Sequence, residues 1–343
     1  MKAIRIHRHG APDVLKIDDL PKPRLQPNEV LVRIQTTALN HLDLFVRAGI
    51  PGIPLPIIVG SDGAGVVVEK GNRVDDTKPV NISSDVIIVP YRIIGDSQSD
   101  DGREDELSDA YRICGEHFDG TCAQYVAVPA DYVLPKPASL TWEEAAAYPL
   151  SYMTSYHMLM KKIKIKKNDW ILVWGASSGI GSAAIQIAKY RGAHVITTAG
   201  TPEKEQFALN LGSDFVINYR KENVGHQVKE ITKGSGVHYV FEHIGQDSWL
   251  HSMRSLRKGG TIISCGATSG PYVRVDLRHL FIKHQRIIGS TMGNRQDLGE
   301  LARLFEDGLL KPVIDSVYPF EKIKDAHERM ERAEHMGKIV LRF

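Results

Sequence analysis

A glycine-rich segment, Gly175-Ala176-Ser177-Ser178-Gly179-Ile180-Gly181, has residue types and spacing that suit phosphate binding. It follows the apolar run Trp170–Trp174 and precedes the amphipathic stretch Ser182–Lys189, which predicts a buried strand, a tight turn and a helix. Glycines in such a turn let the backbone approach a phosphate, and the helix N-terminus presents unpaired N–H groups with a partial positive charge. A second apolar strand is predicted at His194–Thr198. This strand–turn–helix–strand context predicts a dinucleotide-binding site.

The residues after the second predicted strand bear on which dinucleotide is bound. An NAD-selective site places a carboxylate at the end of that strand to hold the ribose 2′-hydroxyl, whereas this sequence has Ala199-Gly200-Thr201-Pro202-Glu203-Lys204. Gly200 leaves room for a 2′-phosphate, Thr201 can donate a hydrogen bond, and Lys204 supplies positive charge. Arg220 is a further basic candidate. Glu203 argues for NADH, but it falls in the first turn of the next predicted helix, where acids are common. We therefore expect NADPH rather than NADH.

Composition and charge exclude several classes of partner. The chain has 343 residues, which predicts two domains. Its 43 Lys and Arg residues nearly balance 41 Asp and Glu residues, so a net charge of +2 gives no reason to expect nucleic acid or an anionic membrane surface. No apolar run approaches the roughly 18 residues of a membrane span, and Met1–Ile6 alternates like a strand rather than a signal peptide. We therefore expect a cytoplasmic protein. The three cysteines, Cys114, Cys122 and Cys265, are too few for a disulfide framework and are expected to be reduced and mostly buried.

The predicted elements divide the chain into a strand-rich start and an α/β middle. Residues 1–90 contain alternating segments such as Glu29–Ile34, and a short helix is predicted from Asn40 to just before Gly49. The acidic stretch 95–110 is expected to be an exposed, mobile loop. From a helix beginning at Thr141 onward, short apolar strands alternate with helices, which predicts a parallel sheet covered on both faces. The strands of this sheet are predicted at Trp170–Trp174, His194–Thr198, Phe215–Ile217, Tyr239–Phe241 and Thr261–Ser264, and a last strand, at Lys338–Phe343, can return to the first domain.

Several motifs of the chain resemble the medium-chain dehydrogenase/reductase superfamily. They are Ala38–Asp43, Gly60–Val67, the loop at 175–181, Gly289–Gly293 and Gly337–Leu341. The resemblance covers essentially the whole chain. It implies an α/β fold with a GroES-like, β-rich catalytic domain at 1–137 and 295–343 around a Rossmann domain, a doubly wound parallel sheet, at 138–294. It also implies a homodimer or homotetramer formed through Rossmann sheet edges.

Zinc-dependent members of this superfamily carry metal ligands that this chain lacks. Where they have Cys-His-Thr/Ser-Asp, this sequence has Asn40-His41-Leu42-Asp43, and where they have Gly-His-Glu it has Gly60-Ser61-Asp62. The third ligand position falls near Leu150-Ser151, and the stretch 95–110 has no cysteine for a structural zinc lobe. An amide, a hydroxyl and an apolar side chain do not replace thiolate and imidazole around zinc. We therefore expect no catalytic zinc.

The missing metal ligands favour one class of reaction. Alcohol oxidation loses the metal that lowers the pKa of the alcohol, whereas reduction of an activated double bond needs only hydrogen-bond donors for enolate-like charge and a source of protons. Asn40 resembles the asparagine that quinone oxidoreductases place beside the nicotinamide, and its amide can be such a donor. It can equally cap the helix, with Asp43 completing a capping box. Tyr152 and His243 are candidate proton donors, although such residues more often pack or lie at the surface.

The resemblance further implies cofactor contacts from residues throughout the chain. They are His41 and Thr154, the loop Gly266-Ala267-Thr268, the segment Met292-Gly293, and Tyr219 near the adenine, which is equally explained as a packing aromatic. We expect an NADPH-dependent, zinc-independent reductase of a small-molecule quinone, enone or enoyl-CoA such as acryloyl- or crotonyl-CoA. A zinc-type alcohol or aldehyde dehydrogenase and a non-catalytic NADPH-binding protein remain alternatives. The basic run Lys161–Lys167 can attract coenzyme A, but it is more typical of a solvated face.

Overall fold

The computed structural model describes residues 1–75, 80–95 and 104–343, which form two compact units. Unit 1 comprises Met1–Met153 and Asn294–Phe343, and unit 2 comprises Thr154–Gly293. The strands are β1 (Lys2–Ile6), β2 (Leu15–Asp19), β3 (Glu29–Ala38), β4 (Ile57–Ile58), β5 (Asp62–Lys70), β6 (Asp85–Ile88), β7 (Tyr91–Ile93), β8 (Tyr111–Ile113), β9 (Tyr125–Pro129), β10 (Val133–Pro135), β11 (Trp170–Val173), β12 (His194–Ala199), β13 (Phe215–Asn218), β14 (Val237–Glu242), β15 (Leu256–Ser264), β16 (Arg286–Gly289), β17 (Ile314–Pro319) and β18 (Lys338–Arg342). The α-helices are α1 (His41–Ala48), α2 (Trp142–Ala147), α3 (Pro149–Tyr156), α4 (Gly179–Tyr190), α5 (Pro202–Asn210), α6 (Val224–Ile231), α7 (Trp249–Ser255), α8 (Leu277–Ile282), α9 (Arg295–Glu306) and α10 (Ile323–Glu331). Among the described residues, none of these helices has the length and apolar character needed to cross a bilayer.

Unit 2 contains the predicted doubly wound parallel sheet. Its six strands run parallel in the order β13-β12-β11-β14-β15-β16. The strands are apolar along most of their length, and Leu172, Val240 and Ile262 are fully buried because helices cover both faces. The strand order reverses between β11 and β14, and ligands of such sheets bind outside the carboxyl ends of the strands at that reversal. The α/β fold class predicted from the sequence is confirmed.

Unit 1 is built mainly from antiparallel strands of both chain ends. Its main sheet has the order β10-β6-β5-β3-β18-β17, with β9 also paired to β3. The last strand, β18, pairs antiparallel with β3, so that Leu341 lies opposite Thr37. The final strand therefore returns to the first unit, as its pattern allowed. Because α2 packs on β3 and β5, unit 1 extends to Met153, beyond the boundary at 137 drawn from the sequence.

The acidic stretch 95–110 lies partly outside the described residues, since 96–103 are not among them. The expectation of an exposed loop is wrong for Asp105, whose side chain is buried. The Tyr91 hydroxyl donates to this carboxylate at 2.7 Å, and the Arg295 guanidinium lies 3.3 Å from it. A buried carboxylate is stable here because it has both a hydrogen-bond donor and a counter-charge.

Candidate functional site

The predicted phosphate-binding loop connects β11 to α4 in unit 2. Ser178 caps the helix: its hydroxyl accepts a hydrogen bond from the Gly181 N–H at 2.9 Å and donates to the Gly175 carbonyl at 2.9 Å. Gly175 has φ +64°, a left-handed conformation that favours glycine. A Cβ on Gly181 would lie 2.1 Å from the Gly175 oxygen, so a side chain does not fit there. The helix N-terminus is therefore held against the strand end, with its first N–H groups oriented as an anion-binding site requires.

The predicted adenine-end residues lie together after β12 and β13. Thr201 caps α5, and its hydroxyl donates to Glu203, which lowers the pKa of that carboxyl. Tyr219 is 47% exposed, and a Cβ on Gly200 would lie 2.7 Å from its hydroxyl oxygen, so the two residues are in close contact. The Arg220 guanidinium lies 6.0 Å from the centre of the Tyr219 ring. The Tyr219 ring is therefore half exposed rather than part of the core, and it lies beside the positive charge of Arg220.

The other predicted cofactor residues of unit 2 follow further strands of the same sheet. The exposed loop Gly266–Thr268 follows β15, and the Thr268 hydroxyl donates to the His243 carbonyl at 3.0 Å. Met292 and Gly293 follow β16, and Met292 is buried. Since the strands are parallel, these segments share one edge of the sheet with the loop at 175–181 and with Tyr219. Thr154, which is buried, begins unit 2 on α3, away from the strand ends in sequence, and His41 belongs to α1 of unit 1.

Neither candidate proton donor has the environment that role requires. Tyr152 is fully buried, its ring packs edge-on against Phe305, and its hydroxyl donates to the Lys311 carbonyl at 2.8 Å. Burial lowers the pKa of His243, which stays neutral and donates from Nε2 to the Trp174 carbonyl at 2.9 Å. The geometry therefore argues against both hypotheses, because each side chain is buried and bonded to the backbone.

A second cluster of polar side chains lies in unit 1, at the position of the missing metal ligands. The Asn40 amide nitrogen donates to Asp62 Oδ2 at 3.0 Å, and the Lys338 ammonium donates to the same oxygen at 2.9 Å. Lys338 also donates to Asn40 Oδ1. The other Asp62 oxygen accepts the Leu150 N–H at 2.8 Å. We call Asn40, Asp43, Asp62 and Lys338 the lysine–aspartate cluster.

Asp43 connects this cluster to the start of α1. Its carboxylate accepts the Asn40 N–H at 2.7 Å and also the Gly60 N–H. Burial raises the pKa of Asp43 to about 7, against the lowering effect of these N–H groups and of Lys338. The capping box predicted for Asn40 and Asp43 is present at the start of α1. The Asn40 side chain is also bonded to Asp62 and Lys338, so capping the helix is not its whole role.

The donor set at this position does not fit zinc. Asn40 is bonded within the cluster, and the buried Ser61 hydroxyl donates to the Cys114 carbonyl at 2.8 Å. Within the described ranges, no group of three His, Cys, Asp or Glu side chains is arranged to hold a metal ion. The Asp62 carboxylate already has Lys338 as its counter-ion. All three cysteines are free, and Cys114 and Cys122 are buried, as expected.

Lys338 is a site residue that the sequence analysis missed. It was assigned only to a predicted strand, whose next three residues, Ile339, Val340 and Leu341, are fully buried. A lysine that begins such an apolar strand was the available signal, since a buried ammonium needs an acidic partner. That partner, Asp62, is 276 positions away in the chain, and no local pattern connects the two.

Comparison with known proteins agrees with this architecture. Residues 26–138 match the family model described as the alcohol dehydrogenase GroES-like domain, and residues 179–307 match that of the zinc-binding dehydrogenases. The chain is 32% identical to a crotonyl-CoA carboxylase/reductase of Cereibacter sphaeroides (strain ATCC 17023), over 97% of this chain and 84% of the relative.

Two solved structures have the same fold over nearly the whole chain. One, described as an NAD-dependent alcohol dehydrogenase, is 38% identical, with a TM-score of 0.95 and complete coverage of both chains. The other, the 2-octenoyl-CoA carboxylase reductase CinF in complex with NADP and 2-octenoyl-CoA, is 28% identical, with a TM-score of 0.88, covering 99% of this chain and 87% of the other. The chain therefore belongs to the medium-chain dehydrogenase/reductase superfamily of oxidoreductases.

Proposed function

We propose that this protein is an NADPH-dependent, zinc-independent reductase that transfers hydride to an activated carbon–carbon double bond. The observation that carries the proposal is the lysine–aspartate cluster, which takes the place of a metal ligand set and includes an amide donor. Asn40 is 8% exposed, whereas Asp43, Asp62 and Lys338 retain 1%, 0% and 3%. Asn40 is thus the member of the cluster that substrate can reach.

The residues proposed to hold NADPH belong to unit 2. The loop at 175–181 receives the pyrophosphate at the N-terminus of α4, a twelve-residue helix. Lys204 and Arg220 supply positive charge for the 2′-phosphate, and Tyr219, which lies against Gly200, stacks on the adenine. When bound, the dinucleotide supplies the hydride. The loop Gly266–Thr268 and the segment Met292-Gly293 are proposed to contact its nicotinamide end.

The proposed reduction of an enone or enoyl thioester needs little from the protein beyond positioning and charge stabilisation. A C–H bond forms at the β-carbon while the electrons of the C=C bond move onto the carbonyl oxygen, giving an enolate. Asn40 Nδ2–H donates to that oxygen, where a positioned donor stabilises the transition state. A proton from water then adds to the α-carbon, since Tyr152 and His243 are committed to backbone carbonyls.

An enoyl-CoA such as acryloyl- or crotonyl-CoA is the proposed substrate class, because two relatives matched over more than four-fifths of their length are named for enoyl-CoA chemistry. Quinones are the second proposed substrate class, since negative charge also builds up on their oxygen when they accept hydride. The basic run Lys161–Lys167 adds little to the case. Lys164, Lys166 and Lys167 are exposed, as expected for a solvated face.

An alcohol dehydrogenase using NAD is the second candidate, favoured by the 38% identical structure. The cluster argues against it, because Asn40 and Ser61 are poor ligands for the zinc ion that would lower the pKa of an alcohol. A non-catalytic NADPH-binding protein is the third.

A turnover screen separates these candidates. Oxidation of NADPH and of NADH is followed with crotonyl-CoA, acryloyl-CoA, cyclohex-2-enone and 1,4-benzoquinone, and reduction of NAD and NADP with ethanol. We expect turnover with NADPH and at least one of the four acceptors, less than about twofold loss after dialysis against a zinc chelator, and substoichiometric zinc by elemental analysis. Alcohol oxidation that depends on stoichiometric zinc would overturn the proposal, and stoichiometric NADPH binding without turnover would support the non-catalytic alternative.

A homodimer is proposed on the edge of the unit 2 sheet. β16 lies at that edge, and Ile287 on it is 43% exposed. Next to it in sequence, α8 exposes Leu277, Phe281 and Ile282, each by more than 60%. An unpaired strand edge beside apolar side chains suits pairing with a second copy. The cytoplasmic location stays a prediction from the sequence.

A further inference from the structure

We propose that Lys338 and Asp62 are positioning residues which orient and polarise the amide of Asn40, so that the lysine charge acts at the substrate oxygen through that amide. This inference rests on the proposed function, because it concerns the donor assigned to Asn40. It assigns a role to the buried Lys338–Asp62 ion pair, which lies where zinc-dependent members of the superfamily have metal ligands.

The first step in the argument is the orientation of the amide. The Lys338 ammonium can only donate and the Asp62 carboxylate can only accept. Lys338 donates to Asn40 Oδ1, and Asp62 accepts from Asn40 Nδ2 at 3.0 Å. The two partners therefore exclude the flipped amide, in which the ammonium would face an NH₂ group and the carboxylate a carbonyl oxygen.

The second step concerns the remaining hydrogen of Nδ2. An amide nitrogen has two N–H groups, and in the part of the chain that the structure describes only one has an acceptor, Asp62. Because Asn40 is the most exposed member of the cluster, at 8%, the other N–H is the group left for a ligand. The ligand it suits is an anionic or carbonyl oxygen, not a donor.

The third step is polarisation. A cation bonded to the oxygen of an amide draws electron density from its nitrogen and makes the free N–H a stronger donor, and this cooperative effect is greater where water is excluded. Lys338 and Asp62 are 3% and 0% exposed, so solvent does not screen the charge. Asp62 is held in turn by the Leu150 N–H at 2.8 Å, which limits its movement. Lys338 thus contributes positive charge to the oxyanion without touching it.

The main test variant is Asp62→Asn/Lys338→Met, which removes one positive and one negative charge together. Single removal of Lys338 would leave a buried, unpaired carboxylate and risk unfolding. The effect is measured as kcat and KM with NADPH and the best acceptor of the screen, and as the dissociation constant of NADPH. We expect a roughly tenfold fall in kcat, less than the 10²–10³-fold typical for loss of a direct oxyanion donor, with NADPH affinity unchanged.

The decisive measurement is the same pair of substitutions made in an Asn40→Ala background. If Lys338 acts through Asn40, the tenfold fall shrinks to less than about twofold there. An equal fall in both backgrounds, or no fall in the first, overturns the inference. Should the pair variant not fold, Asp62→Asn/Lys338→Gln takes its place with the same two outcomes, since it also removes both charges and glutamine keeps a donor. Lys338→Arg keeps both the hydrogen-bond donor and the positive charge, so this variant should retain most of the wild-type kcat.

A matched control removes a different ion pair from the same unit. Arg329 pairs with Asp315 at 2.7 Å, and Arg329→Met should leave kcat unchanged while lowering the thermal stability.

The two proposals fail in distinguishable ways. A wild-type protein that reduces none of the acceptors refutes the proposed function, whereas turnover with additive effects of Asn40 and Lys338 refutes only the role of Lys338.

Discussion

Replacement of Gly181 by alanine should weaken dinucleotide binding without unfolding the protein. The new Cβ would lie 2.1 Å from the Gly175 carbonyl oxygen and 2.8 Å from the Ser178 hydroxyl oxygen, so the backbone of the loop must move by about 1 Å to restore ordinary contact. That movement disturbs the hydrogen bond from the Gly181 N–H to Ser178, the helix cap, which contributes about 1 kcal/mol.

The larger loss is expected in binding. Movement of the loop misplaces the N–H groups of the helix N-terminus, and one lost hydrogen bond to a charged phosphate is worth about 1.5–3 kcal/mol. Since about 1.4 kcal/mol corresponds to a factor of ten, the dissociation constant of NADPH should rise about 10- to 100-fold. Titration of NADPH fluorescence with wild-type and Gly181→Ala protein measures this directly.

Gly299→Ala is the matched control, because Gly299 lies in α9 and a Cβ there would meet no atom within 4 Å. Alanine at that position should raise the stability by about 0.5–1 kcal/mol through helix propensity and leave NADPH affinity unchanged. Binding by Gly181→Ala within threefold of wild type would refute the assignment of this loop to phosphate.

Three further predictions follow from other parts of the structure. Asp43 has its pKa raised to about 7 by burial, from 3.8, so the native state holds a proton that the unfolded state releases, and the stability from this group is lost as pH rises through about 7. Thermal melts should therefore show Asp43→Asn gaining stability relative to wild type as pH rises from about 4 to about 7, and levelling off above that; a constant difference would contradict this. Lys204→Ala should raise the KM for NADPH about 5- to 10-fold and that for NADH less than twofold; equal effects would argue against a 2′-phosphate contact. Ile287→Lys, on the exposed edge of β16, should convert a dimer to a monomer in light scattering, because a charged side chain blocks strand pairing; an unchanged mass would place the interface elsewhere.

The strand–turn–helix geometry of the loop at 175–181 was predictable from the sequence because its determinants are local. Gly175, Ser178 and Gly181 lie within seven consecutive residues, between a strand and a helix that each have their own periodicity. The same holds for the parallel strands of unit 2, whose apolar runs identify them one by one. The order of these strands in the sheet, β13-β12-β11-β14-β15-β16, comes from the structure.

Local patterns were not enough for the side chains whose roles depend on distant partners. Tyr152 and His243 were chosen for their titratable groups, and only the fold reveals the backbone carbonyls of Lys311 and Trp174 that engage them. Asp105 looked exposed within an acidic stretch, yet Tyr91 and Arg295 bury it.

Residue identities alone predict that the usual zinc ligand set is missing, since Asn40, Ser61 and Leu150 offer neither a thiolate nor an imidazole. They left open whether Asn40 caps a helix or faces a substrate. In the folded chain Asn40 forms the capping box with Asp43, and because β18 pairs with β3 it is also bonded to Lys338 across 298 positions of sequence. A buried ammonium must find its counter-charge in space rather than along the chain, and strand pairing between the two chain ends supplies it.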